Sequence, residues 1–197
     1  FADLAAPQQP VLEKIHADGL LPPGMSLCVT DTRGSHSELT GEFAAIRQEM
    51  ELIAAFFGKK VLGQVTESAF WAALPALRKA CGDRAVLRAI HYFEENARTL
   101  AQRDALQAGQ FDAFAALVLE SGRASFALCQ NVYCSTVVRH QGLSVALALS
   151  QSILQGSPGA WRVQGGGFAG TIQAYVPQSL LERYHTEVAR VFRKGRW

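Results

Sequence analysis

Apolar residues recur at alternating steps of four and three between residues 39 and 57, and this spacing predicts an amphipathic helix. Ser35 and Glu38 fit a capping box, in which two side chains satisfy free amides at the start of a helix. Gly58 stands where such a helix ends. We therefore expect a helix over 35–57 that buries one face. The apolar residues of that face are Leu39, Phe43, Ile46, Met50, Ile53 and Phe57.

The longest helical pattern covers 83–107, and it has two contrasting faces. The face predicted to be buried comprises Val86, Ile90, Phe93, Ala97 and Leu100. The opposite face carries charged and polar residues at the same spacing: Arg84, Arg88, His91, Glu95 and Arg98. We expect this polar face to be solvated, with simple ion pairing. Acid–base chemistry at His91 is the alternative, because histidine titrates near neutral pH.

Weaker helical patterns occupy much of the remaining chain. They lie at 66–80, 111–119, 136–154 and 178–191. Pro75 is expected to break or kink the first of them, because proline lacks an amide donor. About five helices thus fill the middle of the chain, and a last one follows near its end.

Short runs rich in β-forming residues predict strands at 26–30, 160–163 and 171–176. Many helices between distant strands indicate an α+β fold with a small antiparallel sheet and helices packed on one face. No internal repeat or low-complexity linker divides the 197 residues, so we expect a single domain over 1–197.

Four glycines in six residues separate the last two predicted strands: Gly165, Gly166, Gly167 and Gly170. Glycine tolerates positive φ and close approach of a ligand to the backbone. Exposed amides in such a loop attract phosphate and other anions. The spacing matches neither the Rossmann nor the P-loop fingerprint. A tight hairpin without a binding role is therefore the equal alternative.

Composition excludes several classes of function. The chain is 49% hydrophobic and 18% charged, which is typical of a globular protein, and its net charge of +2 argues against a dedicated nucleic-acid binder. The most apolar window, 142–154, is well short of the roughly 20 residues that a membrane span needs. The four cysteines lack the spacing of zinc ligands, so we expect buried free thiols in a reducing cytoplasm. A redox pair of Cys129 and Cys134 is the less favoured alternative.

Three segments in order along the chain, 31–43, 83–91 and 159–170, carry a family resemblance. Together they resemble galactokinases of the GHMP kinase superfamily. Residues 31–43 (DTRGSHSELTGEF) resemble the segment after the first C-domain strand, and 83–91 (DRAVLRAIH) resemble a mid-chain helix. Residues 159–170 (GAWRVQGGGFAG) are similar to the third motif of the superfamily. The resemblance covers nearly the whole chain and implies a ferredoxin-like C-terminal domain.

The resemblance also implies an activity and a site. Galactokinases transfer the γ-phosphoryl group of ATP, with Mg²⁺, to a sugar hydroxyl. The resemblance places the glycine loop at the wall of the substrate cleft. The substrate- and phosphate-binding residues that it implies are Arg162, Gly165, Gly166, Gly167, Phe168 and Gly170. Phe43 stands where familiar galactokinases have a tyrosine that contacts the sugar. A phenyl ring cannot hydrogen-bond a sugar hydroxyl, so a sugar other than galactose is the alternative substrate. Because Phe43 lies on the apolar face of its predicted helix, core packing is the favoured interpretation of this residue.

The family's sugar signature, phosphate loop and catalytic aspartate region do not occur in 1–197. We therefore expect the C-terminal half of a galactokinase-like protein without its N-terminal catalytic half. The chain supplies no catalytic residue and no metal ligand in this interpretation, and we expect neither ATP nor Mg²⁺ to bind it alone. A non-catalytic module that binds a partner or a sugar phosphate is the alternative.

The predicted partners follow from the same resemblance. They are sugar and ATP in the parent protein, the missing N-terminal half, and a second copy of the chain if a sheet edge is left unpaired. Neither nucleic acid nor a membrane is expected. The chain begins with Phe1 and has no secretory signal, so we expect a fragment or a processed piece.

Overall fold

The computed structural model describes residues 2–3, 11–12, 21–34 and 39–192. Two short antiparallel strands, β1 (Ala2–Asp3) and β2 (Val11–Leu12), precede the main sheet, which begins with β3 (Met25–Asp31). The capping box at 35–38 and the basic tail at 193–197 lie outside the described residues. The helices that follow are α1 (Thr40–Phe56), α2 (Glu67–Ala72), α3 (Leu74–Cys81), α4 (Asp83–Gln107) and α5 (Phe111–Ala124).

A π-helical turn (Ser125–Cys129) continues α5, and α6 (Gly142–Leu154) then leads into the rest of the sheet. Strands β4 (Ala160–Gln164) and β5 (Thr171–Pro177) flank the glycine loop, and α7 (Gln178–Phe192) follows directly. The main sheet is antiparallel throughout, with strand order β3-β5-β4. This confirms the predicted α+β class and the predicted small antiparallel sheet.

Helices lie on both faces of this sheet, and the prediction that they cover one face is wrong. Ala174 and Val176 of β5 pack in one cluster with residues of α6 and α7. Tyr175, which points the opposite way, packs with Phe114 and Val118 of α5. Successive side chains of a strand alternate between faces, so the central strand must be covered on both. The consecutive apolar residues Ala174, Tyr175 and Val176, all buried, are the sequence signal for this arrangement.

Several helix boundaries differ from the predicted ones for local reasons. Pro75 stands in the first turn of α3, and the pattern at 66–80 divides into α2 and α3, as expected of a helix breaker. The helix predicted from residue 136 begins only at Gly142. The side chain of Gln141 accepts a bond from the Cys134 amide at 3.0 Å and donates to the carbonyl oxygens of Cys134 and Val137. These bonds satisfy the backbone of the preceding loop without a helix.

The two faces of α4 are not divided as predicted. Val86 is buried against α1, α2 and α3, with Ile90 and Phe93 packed beside it. Further along, however, Leu100 is 44% exposed, and Ala97 is exposed too. The polar face that we expected in solvent is instead turned inward: Arg88 is only 1% exposed. Arg88 forms an ion pair with Glu49 of α1, and Glu95 forms one with Arg162 of β4, so this face makes contacts between elements.

None of the helices within the described residues is long and apolar enough to cross a membrane.

Candidate functional site

The glycine loop between β4 and β5 adopts a backbone that requires several of its glycines. Gly165, Gly167 and Gly170 have φ of 74°, 87° and 92°. Phe168 also has positive φ, at 54°, which is unusual for a bulky residue and is found where surrounding contacts enforce it. Gly166 lies outside the positive-φ region, so backbone conformation does not require a glycine there.

Gly166 is required instead by the ring of Phe43. A Cβ atom at Gly166 would lie 2.7 Å from Cε1 of Phe43, well inside van der Waals contact. The ring of Phe43 also meets that of Phe168 edge to face, with centroids 5.2 Å apart. Phe43 is half-buried, and it packs beside Leu39 and Ala169 at the same place. The structure therefore brings together two features that the sequence singled out separately, Phe43 and the glycine loop.

The inner side of the loop is held by Asn131, which sequence reasoning missed. The main-chain oxygen of Asn131 accepts a hydrogen bond from the amide of Phe168. Its side-chain Nδ2 donates to the carbonyl oxygen of Gly166 at 3.1 Å. Gly167 lies against the same residue, because a Cβ there would stand 2.0 Å from the oxygen of Asn131.

The outer end of the loop is held by the turn after β3. The carbonyl oxygen of Gly170 accepts two bonds from Thr32, one from its amide and one from its hydroxyl, each at 2.8 Å. Gly34 approaches Ala169 so closely that a Cβ at Gly34 would lie 3.0 Å from that of Ala169. The first segment of the family resemblance and the glycine motif therefore meet in space.

The loop leaves specific backbone donors open. The amides of Phe168 and Ala169 are used within the site, by Asn131 and by the carbonyl oxygen of Gly167. In contrast, the amides of Gly165 and Gly166 donate to no residue in the described part of the chain. Both glycines are exposed. This part of the loop can therefore donate to an anionic or hydroxyl group of a ligand.

Arg162 precedes the loop on β4, but its guanidinium is engaged inside the protein. Its Nη1 lies 3.5 Å from Oε1 of Glu95, and its Nε donates to the carbonyl oxygen of Val163 at 3.2 Å. Glu95 also accepts bonds from Ser121 and Arg98. A phosphate contact by Arg162 stays a prediction, and it would have to compete with Glu95.

Arg88, His91, Glu95 and Arg98 of α4, with their partners on other elements, form an inward-facing polar cluster. Arg162 and Glu95 belong to one part of it, and the other part surrounds Arg88. Its Nη1 donates to Glu49 of α1 at 2.8 Å, and its Nε donates to the carbonyl oxygen of Cys129 at 3.1 Å. Arg84 shares the same carboxylate at 2.6 Å. Because Cys129 ends the π-helical turn, Arg88 ties α1 and α4 to the segment that reaches Asn131 and the glycine loop.

His91 lies within this inward-facing cluster, so the prediction of simple surface pairing is wrong. Its side chain is half-buried, and its Nδ1 atom is buried without a hydrogen-bond partner among the described residues. Burial lowers the pKa of His91, which outweighs the opposing effect of Glu95. The lowered pKa favours the neutral imidazole at physiological pH, and no contact among the described residues gives His91 a catalytic role.

Two of the four cysteines behave as the predicted buried thiols. Cys129 and Cys134 are both buried and free, and Cys28 and Cys81 are free and half-buried. Burial raises the pKa of the Cys129 thiol to about 11, although the nearby Arg88 opposes the shift. A thiol with this pKa is protonated at neutral pH and is a poor nucleophile. The arrangement does not favour the redox alternative.

Within the described residues, no three histidine, cysteine or acidic side chains converge as a possible metal site.

The fold resembles that of a solved galactokinase. The crystal structure of Lactococcus lactis galactokinase complexed with galactose matches 88% of this chain and 42% of that chain, with a TM-score of 0.64 and 20% identity. The structure thus defines an α+β domain with the fold of part of a galactokinase. No family model matches the chain.

Sequence comparison makes the relationship specific. Two galactokinases of Actinobacillus pleuropneumoniae, from serotype 3 (strain JL03) and serotype 5b (strain L20), are each 31% identical to the chain over 174 residues. The match covers 88% of the chain and 43% of each relative. The chain is a homologue of galactokinases, as its motifs predicted, and it spans less than half the length of these relatives.

Proposed function

We propose that this chain is the C-terminal domain of a galactokinase-like sugar kinase, which uses Mg-ATP to phosphorylate galactose or a related sugar. One observation carries the proposal: Phe43 and the glycine loop, which come from separate segments of the family resemblance, form a single surface. Homology to galactokinases supports the class of reaction. The share of those relatives that the chain spans supports the assignment of the remaining catalytic groups to an N-terminal half.

In this proposal the loop forms one wall of the substrate cleft. The amides of Gly165 and Gly166 would donate to a phosphate oxygen or a sugar hydroxyl, and the ring of Phe43 would offer an apolar surface beside them. Bound Mg-ATP would supply the phosphoryl group and neutralise its charge. Because such transfer depends on positioning and on charge stabilisation, the loop acts by placing a substrate rather than by exchanging protons.

The proposal assigns no catalytic residue to this chain, and it predicts where activity is found. Sugar-dependent ADP release is measured for the chain alone and for a longer protein that joins it to the N-terminal half. Release only from the longer protein, and strongest with galactose or a close relative, is the expected result. Release from the chain alone would refute the assignment of the chemistry to the other half. Release from neither would favour the non-catalytic module.

Phe43 offers a test of the sugar contact. In the active longer protein, Phe43→Tyr should shift preference toward galactose, because the added hydroxyl can bond a sugar from a half-buried ring beside the loop. The free energy of unfolding should change by less than about 1 kcal/mol. Comparing kcat/KM for galactose and other sugars, with urea unfolding of the same variant, checks both parts. A larger loss of stability with unchanged preference would show that the ring serves packing alone.

The sheet also supports the proposed partners. The outer edge of β3 is unpaired within the three-stranded sheet, and Leu27 and Val29 on that strand are 49% and 56% exposed. An open edge with apolar side chains favours pairing with another chain. We expect the chain to self-associate or to bind the N-terminal half, in the cytoplasm. Light scattering over a concentration series should show a dimer or larger species, whereas a monomer at every concentration would contradict self-association.

A further inference from the structure

Unusual backbone geometry is concentrated around the glycine loop. Among the described non-glycine residues, positive φ occurs at Arg33, Gln130 and Phe168. Gln130 directly follows the π-helical turn and precedes Asn131, while Phe168 lies in the loop that Asn131 holds. π-helical turns and strained non-glycine residues are frequent at functional sites and persist only where their surroundings enforce them.

Asn131 is the residue that joins these two strained segments. It is 7% exposed, and it uses its main-chain oxygen on Phe168 and its Nδ2 on Gly166. The contact with the carbonyl oxygen of Gly166 fixes the orientation of the side-chain amide of Asn131, because only its nitrogen can donate. The other atom, Oδ1, is buried and has no partner among the described residues. A buried acceptor without a partner costs stability, so packing alone does not explain an asparagine here.

We propose that Asn131 is the positioning residue of the glycine loop. Its side-chain donor holds the carbonyl oxygen of Gly166 inward. This bond fixes the backbone of the loop next to the amides of Gly165 and Gly166, which are open to a phosphate or sugar hydroxyl. The hydrogen bond from Arg88 to the carbonyl oxygen of Cys129 holds the end of the π-helical turn, two residues before Asn131, so Asn131 is itself fixed. This inference rests on the proposed function for the identity of the ligand, but the arrangement of the loop can be tested without it.

The substitution Asn131→Asp isolates the donor, because aspartate has nearly the same shape. An ionised carboxylate cannot donate to Gly166 and would repel its carbonyl oxygen, whereas a protonated carboxyl can donate. Because the site is buried and faces a carbonyl oxygen, we expect the pKa of the introduced carboxyl to rise from its ordinary value of about 4 into the range between pH 5 and pH 8. Asn131→Ala removes the donor at every pH. Asn96→Asp makes the same chemical change at an exposed position of α4 and serves as the matched control.

The experiment records amide NMR resonances of the glycine loop in the 197-residue chain between pH 5 and pH 8. We expect the loop resonances of Asn131→Asp to differ from those of the unsubstituted chain, here called the parent, at high pH and to match them at low pH. Those of Asn131→Ala should depart throughout, and those of Asn96→Asp should match the parent. The parent series accounts for the titration of other groups. If Asn131→Asp unfolds at neutral pH, its spectrum at pH 5 carries the comparison.

Two results would overturn the inference. One is a loop whose resonances match the parent in both Asn131 variants at every pH, since the loop would then not depend on the side chain. The other is an Asn131→Asp variant that stays unfolded or shifted at pH 5, since the donor would then not be the decisive group.

In the longer protein, kcat/KM of Asn131→Asp should fall at least tenfold at pH 8, compared with the unsubstituted longer protein, and should recover partly at lower pH. If the NMR result holds while the longer protein lacks kinase activity, the proposed function fails and the positioning role stands.

Discussion

Replacing Arg88 by methionine should lower the free energy of unfolding by about 3 kcal/mol, because removal of one partner from a buried ion pair leaves the others uncompensated. The Arg88 side chain is 1% exposed, and it bonds both Glu49 and the carbonyl oxygen of Cys129. Methionine fills a similar volume but donates to neither. Arg84 still pairs with Glu49, which places the expected loss at the lower end of the range for buried pairs.

Urea unfolding of Arg88→Met should be compared with that of Arg47→Met. Arg47 forms an ion pair with Glu51 at 2.7 Å in α1, but its side chain is 84% exposed. Exposed pairs contribute little, so this control should lose much less stability than Arg88→Met. Similar losses in the two variants would contradict a structural role for the inward-facing polar cluster.

Gly167→Ala should destabilise the chain by about 3 kcal/mol, since the alanine would combine backbone strain with a clash against a fixed atom. Its φ is 87°, and the added Cβ would lie 2.0 Å from the main-chain oxygen of Asn131. That oxygen cannot rotate away as a flexible side chain could. The loop or the segment carrying Asn131 would have to move.

The matched control is Gly165→Ala, two residues away in the same loop. Gly165 has a φ of 74°, but nothing lies within 4 Å of its added Cβ. Only the cost of the left-handed conformation remains, about 1 kcal/mol. Thermal unfolding of both variants separates the two effects. Equal losses would mean that positive φ alone explains the glycines and that Asn131 does not confine the loop.

Much of the fold could be predicted because it depends on local patterns. The helix predicted over 83–107 has those bounds in the structure, as α4. The break at Pro75 follows from the chemistry of a single residue, and the strands on either side of the glycine block follow from their composition. Such signals require no knowledge of which elements become neighbours.

The faces of α4 could not be predicted in the same way. A periodic row of charged residues looks the same whether it faces solvent or partners on other helices. Arg88 and Glu95 find partners on α1, α5, β4 and the π-helical turn, all remote in sequence. Ala97 and Leu100 lie on the face predicted to be buried, but they are exposed because no element within the described residues covers them. Burial of a face is decided by tertiary packing, not by its period.

The candidate site was predictable to a similar extent. The glycine block and Phe43 were recognisable from the sequence, and the structure brings them together at Gly166. Asn131 was not recognisable, because its role depends on a π-helical turn and on a contact with residues 35 or more positions away. No short motif encodes either feature.

The central claim is that the glycine loop forms part of a substrate site, and Gly166→Val tests it most directly. The valine side chain would displace the ring of Phe43, but Gly166 itself is exposed and lacks positive φ. Gly41→Val is the control, because Gly41 is exposed with nothing within 4 Å of its added Cβ. The measurement is kcat/KM of the longer protein for its sugar, together with the thermal midpoint of each variant. We predict that kcat/KM falls about 100-fold in Gly166→Val, equivalent to about 2.7 kcal/mol in the transition state, while unfolding changes by about 1 kcal/mol and the control retains activity. A normal kcat/KM in folded Gly166→Val would contradict the account and leave the loop as a structural hairpin.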